Sequence, residues 1–549
     1  MLPLLLAAAI SAANIKAHID FLASDVLEGR ETGSRGFNVA AEYVASEFEA
    51  LGIEHSFQPI RFRTAMIDGA NCTMRLGDQM FGHKKDVIFR PDFTRAASDA
   101  EGDVVFVGYG LKNDYATMDV HGKIVAMLSG APPNFPSDQR AFYSDSLRKL
   151  QLAAARGAIG ILTIPTRTDA KRFPWEKAVA QPDMRGMRSL SNDGHGDQVN
   201  EVVAEIHANV GLGPAAAAAL FAHAPVTLDA VLDDAEKSIS HSFPMNAHVA
   251  IHTSTTHGGA ESENVVGVLR GATRPDEYVV YTAHLDHLGM APAGEDRIYN
   301  GALDNASGIA ALLEIARSFA ALPQRPARSI AFIAVTGEEK GELGSNYFAA
   351  HPTISPIVAN INMDMFTMLF PVGDVIALGA EHSTLGDFVP DAAKRAGFTV
   401  SPDPLPEEVR FIRSDQYSFV KHGVPAITFK AGSKSLDPAI DGDKITREWL
   451  RNVYHTVHDN PDQKLDYASG ARWAELNFYI GLAAANAPDA PQWEPGDFFG
   501  GTFGGAHAPL TRPSATLSPL TRGEGQITLR PAKRGEGARS ADEGRARER

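Results

Sequence analysis

Cysteine is almost missing from this chain: Cys72 is the only one in 549 residues. A single thiol excludes an internal disulfide framework and every metal site built on several thiolates. Any bound metal must then be held by His, Asp and Glu, and 19 His with 67 acids supply ample donors. Positive charge is also short, since 51 Lys and Arg leave a net charge of −16. Such a surface repels phosphate backbones, so no nucleic-acid partner is expected. No apolar run reaches the 18 or more residues of a membrane span, so no integral membrane segment is expected either. Apolar residues at 44% and charged residues at 21% are near the globular average, which excludes wholesale disorder.

The two ends differ from the middle. Residues 1–13 form an apolar run closing on small residues, as in a secretory signal or the later half of one. The other reading is the apolar start of a first helix. Export, to the periplasm or the medium, is the expectation. Residues 496–549 read as a disordered tail. From Gly500 on they are rich in Gly, Pro, Ser, Thr and Arg, and the tetrapeptides PLTR and RGEG each recur. Such composition cannot bury enough apolar surface to offset ordering entropy.

Between the ends, the spacing predicts a helix over 38–51, with Val39, Tyr43, Val44, Phe48 and Leu51 on its buried face. Short β-rich runs bounded by glycine at 102–110 and 122–130 open a compact α/β module. Helix–strand signals follow at 149–164 and a helix at 214–224, with a loop-like stretch at 165–200. The module is taken as residues 99–243, inserted between 14–98 and 244–495. Within 262–490, near-continuous apolar strands alternate with helices. That pattern implies an α/β fold with a mostly parallel central sheet covered on both faces. Ligands of such sheets gather at the carboxyl ends of the strands.

The polar residues of interest sit at those ends. The strand at 278–283 stops at His284-Leu285-Asp286, and residues i and i+2 of an extended chain share a face. The Asp286 carboxylate could then take the spare imidazole N–H of His284 while the other nitrogen meets a metal. A hydrogen-bonded pair at a strand end is the plainer reading. Asp304 precedes a helix, where an acid serves as an N-cap or as a bridge between two cations. Glu338 and Glu339 follow the next strand and repel one another unless cations or protons intervene. As helix-start acids they would instead meet the dipole. Asp364 follows seven residues of buried-strand character, a costly place for an unpaired acid. The run 454–459, YHTVHD, adds two imidazoles. Together these acids crowd one sheet edge, and cations are the readiest way to make that tolerable. Oxygen and imidazole donors suit zinc, manganese or cobalt. A bridging carboxylate suggests two ions about 3.5–4 Å apart, a geometry used for hydrolysis.

The segments AHLDHLG, NGALDNASGIAALLEIAR, GEEKGELGSNYFAAHP, NINMDM, RSDQYSF, GVPAITF and YHTVHDN resemble the co-catalytic zinc aminopeptidase family. That family includes secreted bacterial leucyl aminopeptidases, glutamate carboxypeptidases and the transferrin receptor ectodomain. The likeness spans most of 14–490, and VVFVGYGLKNDYATMDVHGKIVAML resembles the protease-associated domain often inserted there. The resemblance implies the zinc exopeptidase fold, of phosphorylase/hydrolase-like architecture, acting on peptides with two Zn2+ ions per chain. It implies His284 and Asp364 on one zinc, Glu339 and His455 on the other, and Asp304 bridging with a cis bond to Asn305. It makes Glu338 the general base, Asp286 the group that orients His284, and Tyr454 an oxyanion stabiliser. Arg413 aligns near the substrate, while His287 and His458 are not expected to be ligands. Gln416 stands where many members have His and is expected on the substrate wall. An aminopeptidase is the first reading. A carboxypeptidase or dipeptidase using Arg410 and Arg413 is the second, and a metal-free receptor-like protein the third. A one-zinc glutaminyl cyclase would be expected to alter the ligand set, and no such change appears.

Overall fold

Four apolar runs form the centre of the sheet: Arg274–His284, Arg328–Val335, Ile357–Asn362 and Ala426–Ala431. The structure is a computed structural model that describes residues 10–181, 183–191, 198–406 and 410–504. The four strands lie side by side in parallel, in the order 426–431, 357–362, 274–284, 328–335. Alternate side chains feed two cores. Val279, Tyr281, Ala283, Ile330, Phe332 and Ala334 enter the larger one, beneath the helices Ala12–Leu22, Arg35–Ala50, Ser307–Ala320 and Tyr467–Asn486. Val280, Ala331, Ile333 and Val335 enter the other, with Phe348 and Phe419 from the helices Leu343–Ala350 and Gln416–Lys421. Burial on both faces explains why these strands read as continuous apolar runs.

The flanks depart from the expected parallel arrangement. Asp374–Leu378 runs antiparallel to Ala426–Ala431, and Ser242–Leu269 antiparallel to Arg328–Val335. Ser242–Leu269, 28 residues long, and its antiparallel neighbour Glu54–Ile67 lead out of this sheet. The first half of Ser242–Leu269 pairs with Ala97–Val107, which begins a run of parallel strands through Ile124–Leu128, Gly160–Ile164 and Ala208–Leu212.

A second core fills that region. It takes in Ile67, Met74, Phe81, Val87 and Phe89 at one end and Val249 and Ile251 at the other. This core therefore reaches beyond residues 99–243, the span expected for an inserted module, on both sides. The short strands of 73–89 carried no periodicity long enough to show this. Within 165–200, read as loop, lie the helices Arg167–Arg172 and Trp175–Ala180 and the strand Gly186–Ser189, which pairs with Glu54–Ile67.

Three boundaries also move. The first long helix spans Arg35–Ala50 and buries Phe37, Ala40, Ala41, Val44, Ala45 and Phe48, while Val39 is exposed. Ile10 is buried in the large core, and the Ser11 amide donates to Glu314 Oε2 at 2.8 Å. Residues 10–13, counted with the leader, are thus part of the fold, and 1–9 lie outside the described residues. Residues 496–504, counted with the tail, fold too. Asp497 caps the helix Phe498–Phe503, whose Phe499 is fully buried. The remainder of the tail lies outside the described residues.

Candidate active site and metal centre

Three adjacent strands stop nearly in line. The register sets His284 beside Val335 and Thr282 beside Asn362. The chain leaving these ends brings His284, the Glu338–Glu339 turn and Asp364 to one edge of the sheet. Asp304 enters from the irregular turn Ala302–Ala306, where the Asp304–Asn305 peptide is cis. Gly301 opens that turn at φ 62°, and a Cβ there would strike the Asp304 carbonyl and the His287 ring. His455 enters from the loop after the helix Gly442–Asn452.

Asp304 occupies the middle. Its Oδ1 lies 3.3 Å from His284 Nε2 and its Oδ2 3.1 Å from His455 Nε2. His284 Nε2 is also 3.5 Å from Asp364 Oδ1, and His455 Nε2 is 3.3 Å from Glu339 Oε2. Bonds of about 2.0–2.1 Å in a tetrahedron place neighbouring ligand atoms about 3.3 Å apart. These four separations fit donors that face a common ion. Two groups result, sharing Asp304 through different oxygens. One is His284, Asp304 and Asp364; the other is Asp304 and Glu339 with His455 or His287. Asp364 Oδ1 is buried with no hydrogen-bond partner, as expected of an atom kept for a cation.

The electrostatics carry the same strain. Burial opposes ionisation of Asp304, yet His284 and His455 hold its carboxyl well below the usual range. Asp364 is drawn down to about 2 against its burial, chiefly by Lys430 and His284. Lys430 Nζ sits 3.2 Å from Asp364 Oδ2. Burial would lower His284, but Glu338, Asp304 and Asp364 raise it well above an ordinary imidazole. Burial pushes the Glu338 carboxyl well up, helped by Glu339, Asp415 and Asp364. Glu338 is half-buried and belongs to neither donor group. Tyr454 stacks on His455 with ring centroids 3.8 Å apart.

Four expectations change. Asp286 does not give its carboxylate to His284. His284 Nδ1 meets the Asp286 backbone carbonyl at 3.1 Å. The carboxylate accepts from Thr32 Oγ1 at 2.9 Å and from the amides of Glu338 and Glu339 at 3.1 and 3.4 Å. The strand ends at His284, so the two-residue face rule ends with it. Gln416 is fully buried rather than on a substrate wall, accepting from Asn362 Nδ2 at 2.7 Å and donating to the Phe411 carbonyl at 2.6 Å. Arg410, offered as a carboxylate anchor, is paired with Asp403, whereas Arg413 stands exposed. His287 is fully buried in the cluster, with Nδ1 2.6 Å from Glu339 Oε1, while His458 is exposed.

Other residues of the site had no sequence signal. Arg30 is buried beneath the acids and donates to the carbonyls of Leu285, Asn300 and Gly301 at 3.0, 2.6 and 3.0 Å. Asp459 is fully buried and accepts from the amides of Leu303 and Asp304 at 2.9 and 3.0 Å. It ends the YHTVHD run, where the two imidazoles masked it. A cavity of about 1360 Å³ lies apart from the cluster, lined by Arg90, Lys149, Asp169 and Arg188 among others and by none of the donors.

Comparison with known proteins bears on the same segment. Residues 264–480 match the model of peptidase family M28. Aminopeptidase NAALADL1 of Mus musculus is 36% identical over 132 residues, 23% of this chain and 16% of that protein. Aminopeptidase YwaD of Bacillus subtilis is 33% identical over 233 residues, 41% of this chain and 45% of its own length. The chain thus spans less than half the length of these curated relatives. An aminopeptidase structure from Aneurinibacillus sp. strain AM-1 superposes with a TM-score of 0.53, covering 89% of this chain and 97% of that one at 20% identity. It shares the fold.

Proposed function

We propose that this chain, whose residues 264–480 carry a peptidase family M28 domain, is a zinc-dependent aminopeptidase removing N-terminal residues from peptides. One observation carries the reading: buried Asp304 turns one oxygen to His284 and the other to His455, with Asp364 and Glu339 completing the two sides. His284, Asp304 and Asp364 would hold one ion, and Asp304, Glu339 and His455 a second, with His287 steadying Glu339. Two zinc ions there would supply Lewis acidity toward the scissile carbonyl and the attacking water.

The residues of the chain do the rest. Glu338, raised by burial and by its acidic neighbours, is suited to take the proton of the attacking water and give it to the leaving amine. Its place is fixed by Asp286, which holds the Glu338 and Glu339 amides. Tyr454, stacked on His455, would donate from its hydroxyl to the developing oxyanion. Arg413, which is exposed, would meet substrate beyond the scissile bond. The apolar run at the start supports the further reading that the protein is exported, which fractionation of the producing cells checks.

The test combines metal analysis with a substrate panel. Wild-type protein loaded with zinc is expected to hold two ions at this site and to cleave aminoacyl chromogenic substrates while sparing N-blocked peptides. Glu338→Gln is expected to keep its zinc and lose at least 10²-fold in rate, within the range general-base catalysis supplies. Activity on N-blocked peptides alone would overturn the aminopeptidase reading. A wild-type rate in Glu338→Gln would overturn the base.

A further inference from the structure

A second imidazole–carboxylate group lies outside the site just described. His382 ends the turn Ala380–His382 that follows the sheet strand Asp374–Leu378. It is 6% exposed, with its ring packed between Phe411 and Phe499 at centroid distances of 5.1 and 5.0 Å. Its Nδ1 lies 2.6 Å from Asp497 Oδ2. Its Nε2 is buried, makes no hydrogen bond, and faces Asp138 Oδ2 at 3.3 Å. One donor atom each from Asp138, Glu381 and His382 lies within 4.8 Å of the others.

Three features single this group out from an ordinary ion pair. A carboxylate on Nδ1 fixes the tautomer that leaves the Nε2 lone pair free, the usual arrangement behind a metal-bound histidine. A buried Nε2 with no hydrogen bond is rare in a folded protein and calls for an occupant. The 3.3 Å gap to Asp138 equals the His284–Asp304 separation at the first site, the edge expected around a tetrahedral ion. The Glu381 side chain is exposed and free to close on the same point.

We propose that His382, Asp138 and Glu381 bind an additional divalent cation of the zinc class, with Asp497 holding the imidazole from behind. One nitrogen and two carboxylates favour zinc, manganese or cobalt over calcium or magnesium, which prefer all-oxygen shells. The site is structural. Asp138 belongs to the helix Ser137–Ser144, His382 to the turn after the sheet strand Asp374–Leu378, and Asp497 caps the helix Phe498–Phe503. One ion there ties together three segments far apart in sequence.

The experiment uses the whole chain loaded with zinc chloride and then dialysed. His382→Gln and Asp138→Asn are expected to carry one zinc fewer per chain than wild type, with peptide hydrolysis unchanged within about twofold. Zinc should raise the melting temperature of stripped wild-type protein more than that of either variant. Glu381→Gln guards against misfolding, because its side chain is exposed, and it should weaken uptake of that same ion. An anomalous zinc peak beside His382 in wild-type crystals would locate it. The count is independent of the proposed activity. If the first site bound nothing, wild type would hold one zinc and His382→Gln none. Equal zinc content in wild type, His382→Gln and Asp138→Asn would overturn the proposal and leave a protonated imidazole paired with two acids.

Discussion

At the scale of single residues, the acid cluster rests on groups that never touch an ion. Asp459 is the clearest case. Both its oxygens are taken by backbone amides of the turn that carries Asp304, and the Ala302 amide donates to its carbonyl at 3.1 Å. Asp459→Asn replaces one acceptor by an N–H₂ that faces another N–H. A buried donor left without an acceptor costs about 1–3 kcal/mol, and more where a charge was involved. The variant is expected to lose roughly 3 kcal/mol of stability in urea titrations. Its zinc affinity should fall about 10–100-fold, the usual cost of losing an outer-shell support. Zinc competition against a chromogenic chelator reads the second number, and unchanged affinity would mean the turn holds Asp304 without Asp459. His284, Glu338, Glu339 and Asp364 were legible in the sequence because each follows an apolar strand. Asp459, Arg30 and Lys430 were not, because they reach the site from a loop, a distant N-terminal turn and the interior of another strand. Nothing local marks a residue whose partners at the site are 66 or more positions away.

At the scale of elements, the site depends on how closely one helix approaches one strand. Ser307–Ala320 starts right after Asp304, and Gly308 in its first turn lies against the chain that carries Asp364. A Cβ on Gly308 would come within 2.4 Å of the Met363 carbonyl and of Asn305 Oδ1. Neither is the loose end of a flexible side chain. Asn305 donates to that same carbonyl at 3.0 Å and accepts from the Gly308 and Met365 amides. Gly308→Ala must therefore push the helix from the strand or break this bracket. Helix propensity alone would favour alanine by about 1 kcal/mol. Close packing should outweigh it, and overpacking typically costs about 1–3 kcal/mol net. The expected outcome is a lower melting temperature and weaker zinc binding together, since Asp304 and Asp364 separate. A variant as stable as wild type would show that the helix can shift freely. The helix itself was readable from its period, and so was the strand. Their separation, which fixes the bridging geometry, was not.

At the scale of the molecule, the chain builds two bodies on shared strands, and the inserted one carries its own buried charge. The sequence divided them at 99 and 243, around β-rich runs at 102–110 and 122–130 and a last helix signal at 214–224. The second core begins at Ile67 and ends at Ile251, since Ser242–Leu269 pairs with Ala97–Val107 through its first half and with Arg328–Val335 through its second. Inside that body, Lys149 is 6% exposed and donates to the carbonyls of Leu128 and Gly130 at 3.1 and 2.5 Å. Burial pulls its pKa down to about 8, against the partial support of Asp169, Asp114 and Asp145. In the unfolded chain the ammonium returns to about 10.4. Between those values the unfolded state binds the extra proton, so stability rises with pH across that window and is lost as pH falls through the folded value. A shift of this size corresponds to about 3 kcal/mol in all. Lys149→Met removes the titration, although it leaves two carbonyls without their donor at every pH. Urea midpoints from pH 7.5 to 10.5 should climb for wild type relative to Lys149→Met, with most of the rise above pH 8. Because Lys149 is not in contact with the acid cluster, zinc occupancy at His284 should not follow that curve. Parallel curves for the two proteins would place the ammonium in water and the charge outside the core.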